Sequence, residues 1–252
     1  MKLIASLILR NEMARYLEPC VLSLQEFCDE IRVLDDGSSD GSYEWLSEHG
    51  HGVFVLENES FRFFQHEGKA RNKLLDWTLQ GSPTHILAID ADEFIADGRA
   101  LRAAIDMDDE QPVWTIEMGE VWKADEESLW LRRDGGWRSR AAPILYRVPE
   151  KRGNQFRIMD RALACGREPM EVRAQFRKSL KTGTEILHFG WTNEAGREQR
   201  YQRYVEHDGG KFHSSSHLQS IMAPDKRVQM TPRSWPVGLQ DQKAAILERV
   251  NG

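Results

Sequence analysis

The stretch His85-Ile86-Leu87-Ala88-Ile89-Asp90-Ala91-Asp92-Glu93 is a short apolar run that ends directly in acid. A run of four to eight apolar residues bounded by polar turn residues reads as a buried strand. Working outward, Leu3 to Leu9, Glu30 to Leu34 and Val53 to Leu56 read the same way. Helical spacing fills the gaps. It runs from about Ala14 to Phe27, with Leu17, Val21 and Leu24 on one face, then from Tyr43 to His49. It returns from Glu67 to Leu79, with Ala70, Leu74, Trp77 and Thr78 near one face, before Gly81-Ser82-Pro83 ends it. Strands alternating with helices imply βαβ units, and so an α/β fold with a mainly parallel central sheet flanked by helices. In such a sheet ligands bind beyond the carboxyl ends of the strands. Topology alone therefore sets Asp35, Asp36, Asp90 and Asp92 on one rim.

Beyond residue 97 the pattern loosens. Val113 to Val121 and Ile144 to Val148 read as strands, and Glu194 to Glu206 as a helix. The expected organisation is one domain over residues 1–210. Residues 211–252, with Pro224, Pro232, Pro236 and the run Ser214-Ser215-Ser216, read as a partly irregular extension ending in a short helix, Asp241 to Val250.

The chain has 252 residues, 40% hydrophobic and 29% charged, which is ordinary globular composition and excludes a disordered or fibrous chain. A net charge of -6 argues against a uniformly basic surface for nucleic acid. Cys20, Cys28 and Cys165 form no CxxC pair and fit reduced thiols in a reducing compartment. The apolar start stops at Arg10-Asn11-Glu12 with no cleavage signature, so it reads as a strand rather than a signal peptide. No apolar stretch is long enough for a membrane helix, and a soluble, cytoplasmic protein is expected. Charge is uneven. Residues 82–131 hold 13 acids and 3 bases, and residues 132–181 hold 14 bases and 5 acids. Complementary solvated faces, or an acidic metal-binding rim beside a basic strip that meets phosphate, explain this about equally well.

Asp90-x-Asp92 sets two carboxylates where a strand ends, so both can aim at one point. Hard oxygen ligands of this kind suit Mg²⁺ or Mn²⁺ bridging to a substrate's phosphates. An acidic loop capping the next helix is the plainer alternative. Asp35-Asp36-Gly37-Ser38-Ser39-Asp40-Gly41 looks locally like a calcium loop, but Ser47 stands where the twelfth-position Glu belongs and a strand precedes it. A strand-end carboxylate here can instead accept hydrogen bonds from a base or ribose; a tight turn with a helix cap is the competing reading. Gly68-Lys69-Ala70-Arg71-Asn72 puts cations at a helix start, against the helix dipole, which a bound diphosphate would justify and a solvated turn would not require. His188 lies among apolar residues, where a satisfied core side chain is the commoner outcome. Dinucleotide, P-loop, nucleophile-elbow and zinc signatures are missing from the sequence.

Together these pieces resemble the family 2 glycosyltransferases of the GT-A fold, in a small, soluble, single-domain branch. The matching residues are Ile4 to Glu12, Asp29 to Ser42, Gly68 to Asn72 and Ile86 to Glu93, over about the first 100 residues. Weaker matches follow at Gly135-Gly136-Trp137, Ile144 to Arg147 and Leu187 to Phe189. The resemblance implies Asp35 and Asp36 at the base and ribose, with Arg10 and Glu12 lining the same pocket. It implies Lys69, Arg71, Asp90 and Trp137 near the nucleotide-sugar, and Asp90, Asp92 and His188 around a Mn²⁺ or Mg²⁺ ion. It implies metal-dependent inverting transfer of one sugar from a nucleotide-diphosphate sugar, UDP first among the donors, to an acceptor hydroxyl. The base is an acid beyond Asp92, with Glu168 the first candidate and Asp160 and Glu120 open.

Two alternatives stand beside this. A sugar nucleotidyltransferase would need a Gly-rich loop after the first strand, where Arg10-Asn11-Glu12 stands instead. A non-catalytic carbohydrate- or nucleic-acid-binding module could use Trp130, Trp137 and Trp191 for stacking. Gln199 to Tyr204 only approaches the QxxRW motif of processive membrane synthases, so a single addition is expected. The basic strip suits an acidic acceptor such as nucleic acid, lipid-linked phosphate or an anionic glycan; a protein acceptor stays open.

Overall fold

Every residue of Leu3–Leu9 (β1) is buried, as expected for a strand covered on both faces of a parallel sheet. The computed structural model describes residues 1–49, 51–57, 63–137, 140–163, 165–208 and 213–251. After β1 come Leu17–Gln25 (α1), Glu30–Asp35 (β2), Ser42–Glu48 (α2), Val53–Glu57 (β3), Phe63–Leu79 (α3) and His85–Ala88 (β4). Next are Glu93–Ile95 (β5), Gly98–Met107 (α4), Val113–Ala124 (β6), Ser128–Arg132 (β7), Arg140–Arg147 (β8), Met170–Arg173 (α5) and Leu180–His188 (β9). Glu194–His207 (α6), Ser215–Ile221 (α7), Met230–Ser234 (β10) and Lys243–Asn251 (α8) complete the chain.

The sheet runs β10-β7-β6-β8-β4-β1-β2-β3. Its β4-β1-β2-β3 part is wholly parallel, with Leu9 level with Asp35 and Ser6 level with Ala88. The expected largely parallel centre is therefore present, and helices flank it. The strands beyond β4 on this path pair antiparallel to their neighbours. Off the path, β9 lies parallel to β6 and antiparallel to β5, which brings His188 level with both Glu93 and Glu120. Those two pairings carry the C-terminal histidine to the acid-rich end of β4.

Leu17, Val21 and Leu24 of α1 are buried as their spacing predicts. Trp235, Leu239, Ile246 and Leu247 join the same core as Leu3 and Ile86, so the C-terminal segment contributes a strand, two helices and core residues among the described residues. The boundary expected at residues 210/211 lies outside the described residues. Strands β7, β9 and β10 and helices α4 and α7 go beyond the sequence reading. Among the described residues, no helix is long and apolar enough to cross a membrane.

Candidate active site

A cavity of about 810 Å³ opens beyond the carboxyl ends of β1, β2 and β4. One side is formed by Arg10, Asn11 and Glu12 after β1, Asp36 after β2, and Glu67 and Arg71 of α3. Asp90 and Asp92 line it where the chain leaves β4. The facing wall comes from α6, through Gln199, Arg200, Arg203, Tyr204 and His207.

Asp90 and Asp92 face different cations. The Asp90 carboxylate accepts from Arg167 at 2.7 Å and lies 3.9 Å from Arg71. Arg167 also grips the buried Glu93 through both guanidinium nitrogens, at 2.5 and 2.8 Å, and Glu93 accepts the Asp90 N–H at 3.0 Å. That clamp fixes the turn after β4. Asp92 turns Oδ2 to Arg200 and, at 3.5 Å, to Arg15; Oδ1 lies 3.4 Å from His188 Nε2. Burial opposes its charge, but Arg200 and His188 outweigh burial and hold the carboxyl well below the usual range.

His188 Nδ1–H donates to Glu120 Oε2 at 2.5 Å, and Trp191 Nε1–H donates to the same oxygen at 3.0 Å. Burial pushes the imidazole pKa down, yet the Glu120 and Asp92 carboxylates raise it to about 10. A carboxylate behind one ring nitrogen, with the other nitrogen aimed at an acid, is a common support for a metal-binding histidine. Among the described residues, no group of three or more His, Cys, Asp and Glu side chains is arranged to hold a metal ion. Asp92 Oδ1 and His188 Nε2 nevertheless form a convergent pair, and Mg²⁺-type ions commonly take only one or two protein ligands alongside phosphates and water. Asp92 and His188 would be the protein ligands of such a cation, with a bound diphosphate and water completing its shell.

The other predicted residues fall in several places. Arg10, Glu12, Asp36 and Arg71 line the cavity, whereas Asp35 does not. The buried Asp35 accepts the Ser38 N–H at 2.9 Å and so holds the turn that presents Asp36. Lys69 is exposed and off the cavity wall. Gly68 serves close packing, since its N–H donates to Arg161 O at 2.9 Å and a Cβ would meet the Arg161 nitrogen at 2.6 Å. Trp137 is buried against Trp122 and Trp191, with centroids 5.5 and 5.0 Å away, and its Nε1–H donates to Ser220. It lies outside the cavity wall. Glu168 is buried, accepts from Arg173 at 2.6 Å and is off the wall, as are the exposed Asp160 and the His188-bound Glu120.

Part of the uneven charge resolves into pairs between the two stretches. Arg140 pairs with Glu120, Arg147 with Glu110, Arg167 with Asp90 and Glu93, and Lys181 with Glu117. Sequence reasoning missed Arg15, Arg200 and Arg203 as cavity residues. The recurrence of arginine in Gln199 to Tyr204 was the signal, three residues apart and therefore on one helix face.

The fold is a mixed α/β sheet with a parallel β4-β1-β2-β3 centre, and a strand-end acid pair there faces an arginine-rich helix across the cavity. Residues 7–164 match Glycosyl transferase family 2, and the chain belongs to that family. No curated protein matches the chain. Among solved structures, S. aureus TarS is similar at 17% identity and a TM-score of 0.53, over 88% of this chain and 42% of that one. The present chain thus spans less than half of that TarS chain. The shorter TarS 1-349 is similar at 18% identity and a TM-score of 0.52, over 88% of this chain and 70% of that one. At such identities the likeness is one of fold.

Proposed function

We propose that the protein is a metal-dependent, inverting glycosyltransferase that moves one sugar from a UDP-sugar to an acceptor hydroxyl. The observation that carries this is the cavity beyond the parallel strands, lined by Asp36, Asp90 and Asp92. Structures of TarS 1-349 in complex with UDP and with UDP-GlcNAc support the choice of donor class.

In this reading Asp36 and Arg10 meet the nucleoside, and Arg71 and Arg167 steady Asp90 beside the diphosphate. Asp92 and His188 would hold the cation, with Glu120 fixing the imidazole. A bound divalent cation would offset charge on the leaving nucleoside diphosphate. The acceptor hydroxyl attacks the anomeric carbon from the face opposite the leaving group, and its proton passes to a carboxylate. Glu12 suits that role better than Glu168, Asp160 or Glu120. It lines the cavity, its Oε1 accepts from Arg15 at 2.7 Å, and its buried Oε2 has no hydrogen-bond partner among the described residues. Burial, aided by the Asp92 charge and opposed by Arg15, raises its pKa to about 7, near the pH at which a general base works best.

The test is thermal stability with UDP, GDP, dTDP or CDP, each with Mn²⁺, Mg²⁺ or EDTA. A nucleotide at about 100 times its Kd adds about 2.7 kcal/mol, which for a chain of this size raises Tm by about 5–10 °C. UDP with a cation is expected to do so, and Asp92→Ala to abolish the shift. A folded protein that no nucleotide stabilises would sink the proposal. Glu12→Gln is expected to keep UDP binding and lose turnover; near-normal turnover removes Glu12 as the base.

A further inference from the structure

Arg140, Arg147, Arg167 and Lys181 of the basic stretch that the sequence offers for an acidic acceptor are engaged in internal pairs, and an anionic partner is better served by an enclosed cationic surface. The cavity supplies one. Gln199, Arg200, Arg203, Tyr204 and His207 share one face of α6 and line a single wall. Arg15 joins them, because it and Arg200 converge on the same oxygen of Asp92. Arg203 follows Arg200 by three residues. Burial lowers its pKa, and the charges of Arg200 and Arg15 push the same way, so the three cations feel one another. Glu12 and Asp92 offset part of this charge, but three arginines face these two carboxylates, which favours an anion at the wall.

The site therefore carries two cationic sets. Arg71 and Arg167 attend Asp90, and α3, which bears Arg71, packs on β1 and β2 in the half of the sheet that would take the nucleotide. Arg15, Arg200 and Arg203 attend the other side, with Asp92 and Glu12 as the carboxylates whose charge reaches Arg200. A transferase that joins two substrates needs separate seats for them. A planar carboxylate is satisfied by one bidentate arginine, whereas a tetrahedral phosphate offers three oxygens and nearly two charges to a cluster.

We infer that the wall formed by Arg15, Arg200 and Arg203 binds a phosphate group carried by the acceptor. The inference rests on the transferase reading above and gives that reading an acceptor class, a hydroxyl-bearing phosphate ester. A phosphate seated there brings a neighbouring hydroxyl toward Glu12, which is paired with Arg15.

Calorimetry on the full chain, with Mn²⁺ present and UDP at saturation, tests this. Glycerol 3-phosphate is the probe and glycerol its neutral control. Glycerol 3-phosphate is expected to bind alongside UDP, more weakly as salt rises, and glycerol not to bind. Arg203→Gln, checked for folding by circular dichroism, is expected to weaken glycerol 3-phosphate about tenfold, as loss of a charged hydrogen bond does, and to change UDP affinity by less than about twofold. Arg203→Lys should restore part of the loss, since it keeps the charge but not the planar fork. Three results overturn the inference: glycerol 3-phosphate displacing UDP, Arg203→Gln weakening UDP while sparing the probe, or no preference for the phosphate ester over glycerol. Failure of UDP to bind the unaltered protein is a separate result. It removes the donor reading, while the probe still reports on the arginine wall.

Discussion

Gly68→Ala separates packing from ligand binding in the Gly68 to Asn72 segment. An alanine Cβ at this position meets the Arg161 nitrogen at 2.6 Å, the Asp160 Cα at 2.7 Å and the Met159 oxygen at 2.7 Å. All three are backbone atoms, so no side chain can swing aside. Residues 159–161 must move away by roughly 1 Å to restore ordinary contact. The same movement strains two bonds that tie this segment to α3, Glu67 N–H to Ala162 O at 3.0 Å and Gly68 N–H to Arg161 O at 2.9 Å. Overpacking costs about 1–3 kcal/mol and each weakened bond about 1 kcal/mol. Alanine's better helix propensity returns about 1 kcal/mol. A net loss of about 2–4 kcal/mol is expected, which lowers Tm by about 4–16 °C. Glu67 and Arg71 sit on the same turn and line the cavity, so UDP binding should weaken too. Gly196→Ala is the internal control. It lies in α6 with its nearest neighbour, the Asn193 Cβ, at an ordinary 3.9 Å, so it should gain up to about 1 kcal/mol. Thermal melts of both variants decide the matter. A Gly68→Ala protein as stable as the original would refute the close-packing argument and return the glycine to a ligand-binding role.

Burial and the nearby Arg147 charge lower the His85 pKa to about 4, below its ordinary 6.5. The folded state resists the proton that the unfolded chain accepts, so stability is full above pH 6.5 and falls as pH drops toward 4; by pH 5 the loss should be about 1–2 kcal/mol. Denaturant melts at pH 7 and pH 5 check this, and His85→Gln should shrink the difference; an unchanged difference would rule His85 out as its source. Arg132 is almost fully buried, bidentate to Asp134 and lying over Trp122 and Trp137 at 4.3 and 4.5 Å. Arg132→Ala should cost about 3 kcal/mol by leaving partners unsatisfied, and a urea midpoint near that of the original protein would contradict it. Glu120→Gln should weaken Mn²⁺ binding, read by calorimetry in the presence of UDP, about tenfold or more; unaltered affinity would remove Glu120 as a support for His188.

Legibility in the sequence followed burial. β1, β2 and β4 are covered on both faces; β1 and β4 spell nearly continuous apolar runs, and β2 keeps Ile31, Val33 and Leu34 around Arg32, so they and their strand-end acids could be read directly. β9 mixes Lys181, Thr182, Gly183, Thr184 and Glu185 before its apolar end, which hides the strand that delivers His188. β10 contains Pro232, tolerable because it pairs on one edge only, with β7. Helix α4 carries a readable signal: Asp97 caps it by accepting the Ala100 N–H, and Leu101 and Ile105 are its buried i, i+4 pair. Within the site, the aspartates were visible because strands end in them. Arg200 and Arg203 were not, because a polar face on an arginine-rich helix looks the same whether it meets water or a cavity. Trp137 carried a motif's expectation of a ligand contact, whereas the indole is enclosed by Trp122, Trp191 and His217.

That indole cluster makes the protein its own optical probe. Trp122, Trp137 and Trp191 touch in sequence, close enough for excitation to pass among them, and Trp191 stands edge-on to His188 with centroids 5.7 Å apart. A charged imidazole quenches a neighbouring indole. If His188 takes a cation as proposed, the ion would displace its proton and alter that quenching. Emission from the unlabelled chain should therefore change in step with occupancy at Asp92 and His188, so titrations of ion, nucleotide and acceptor can be followed in a fluorimeter without a coupled assay or a known sugar.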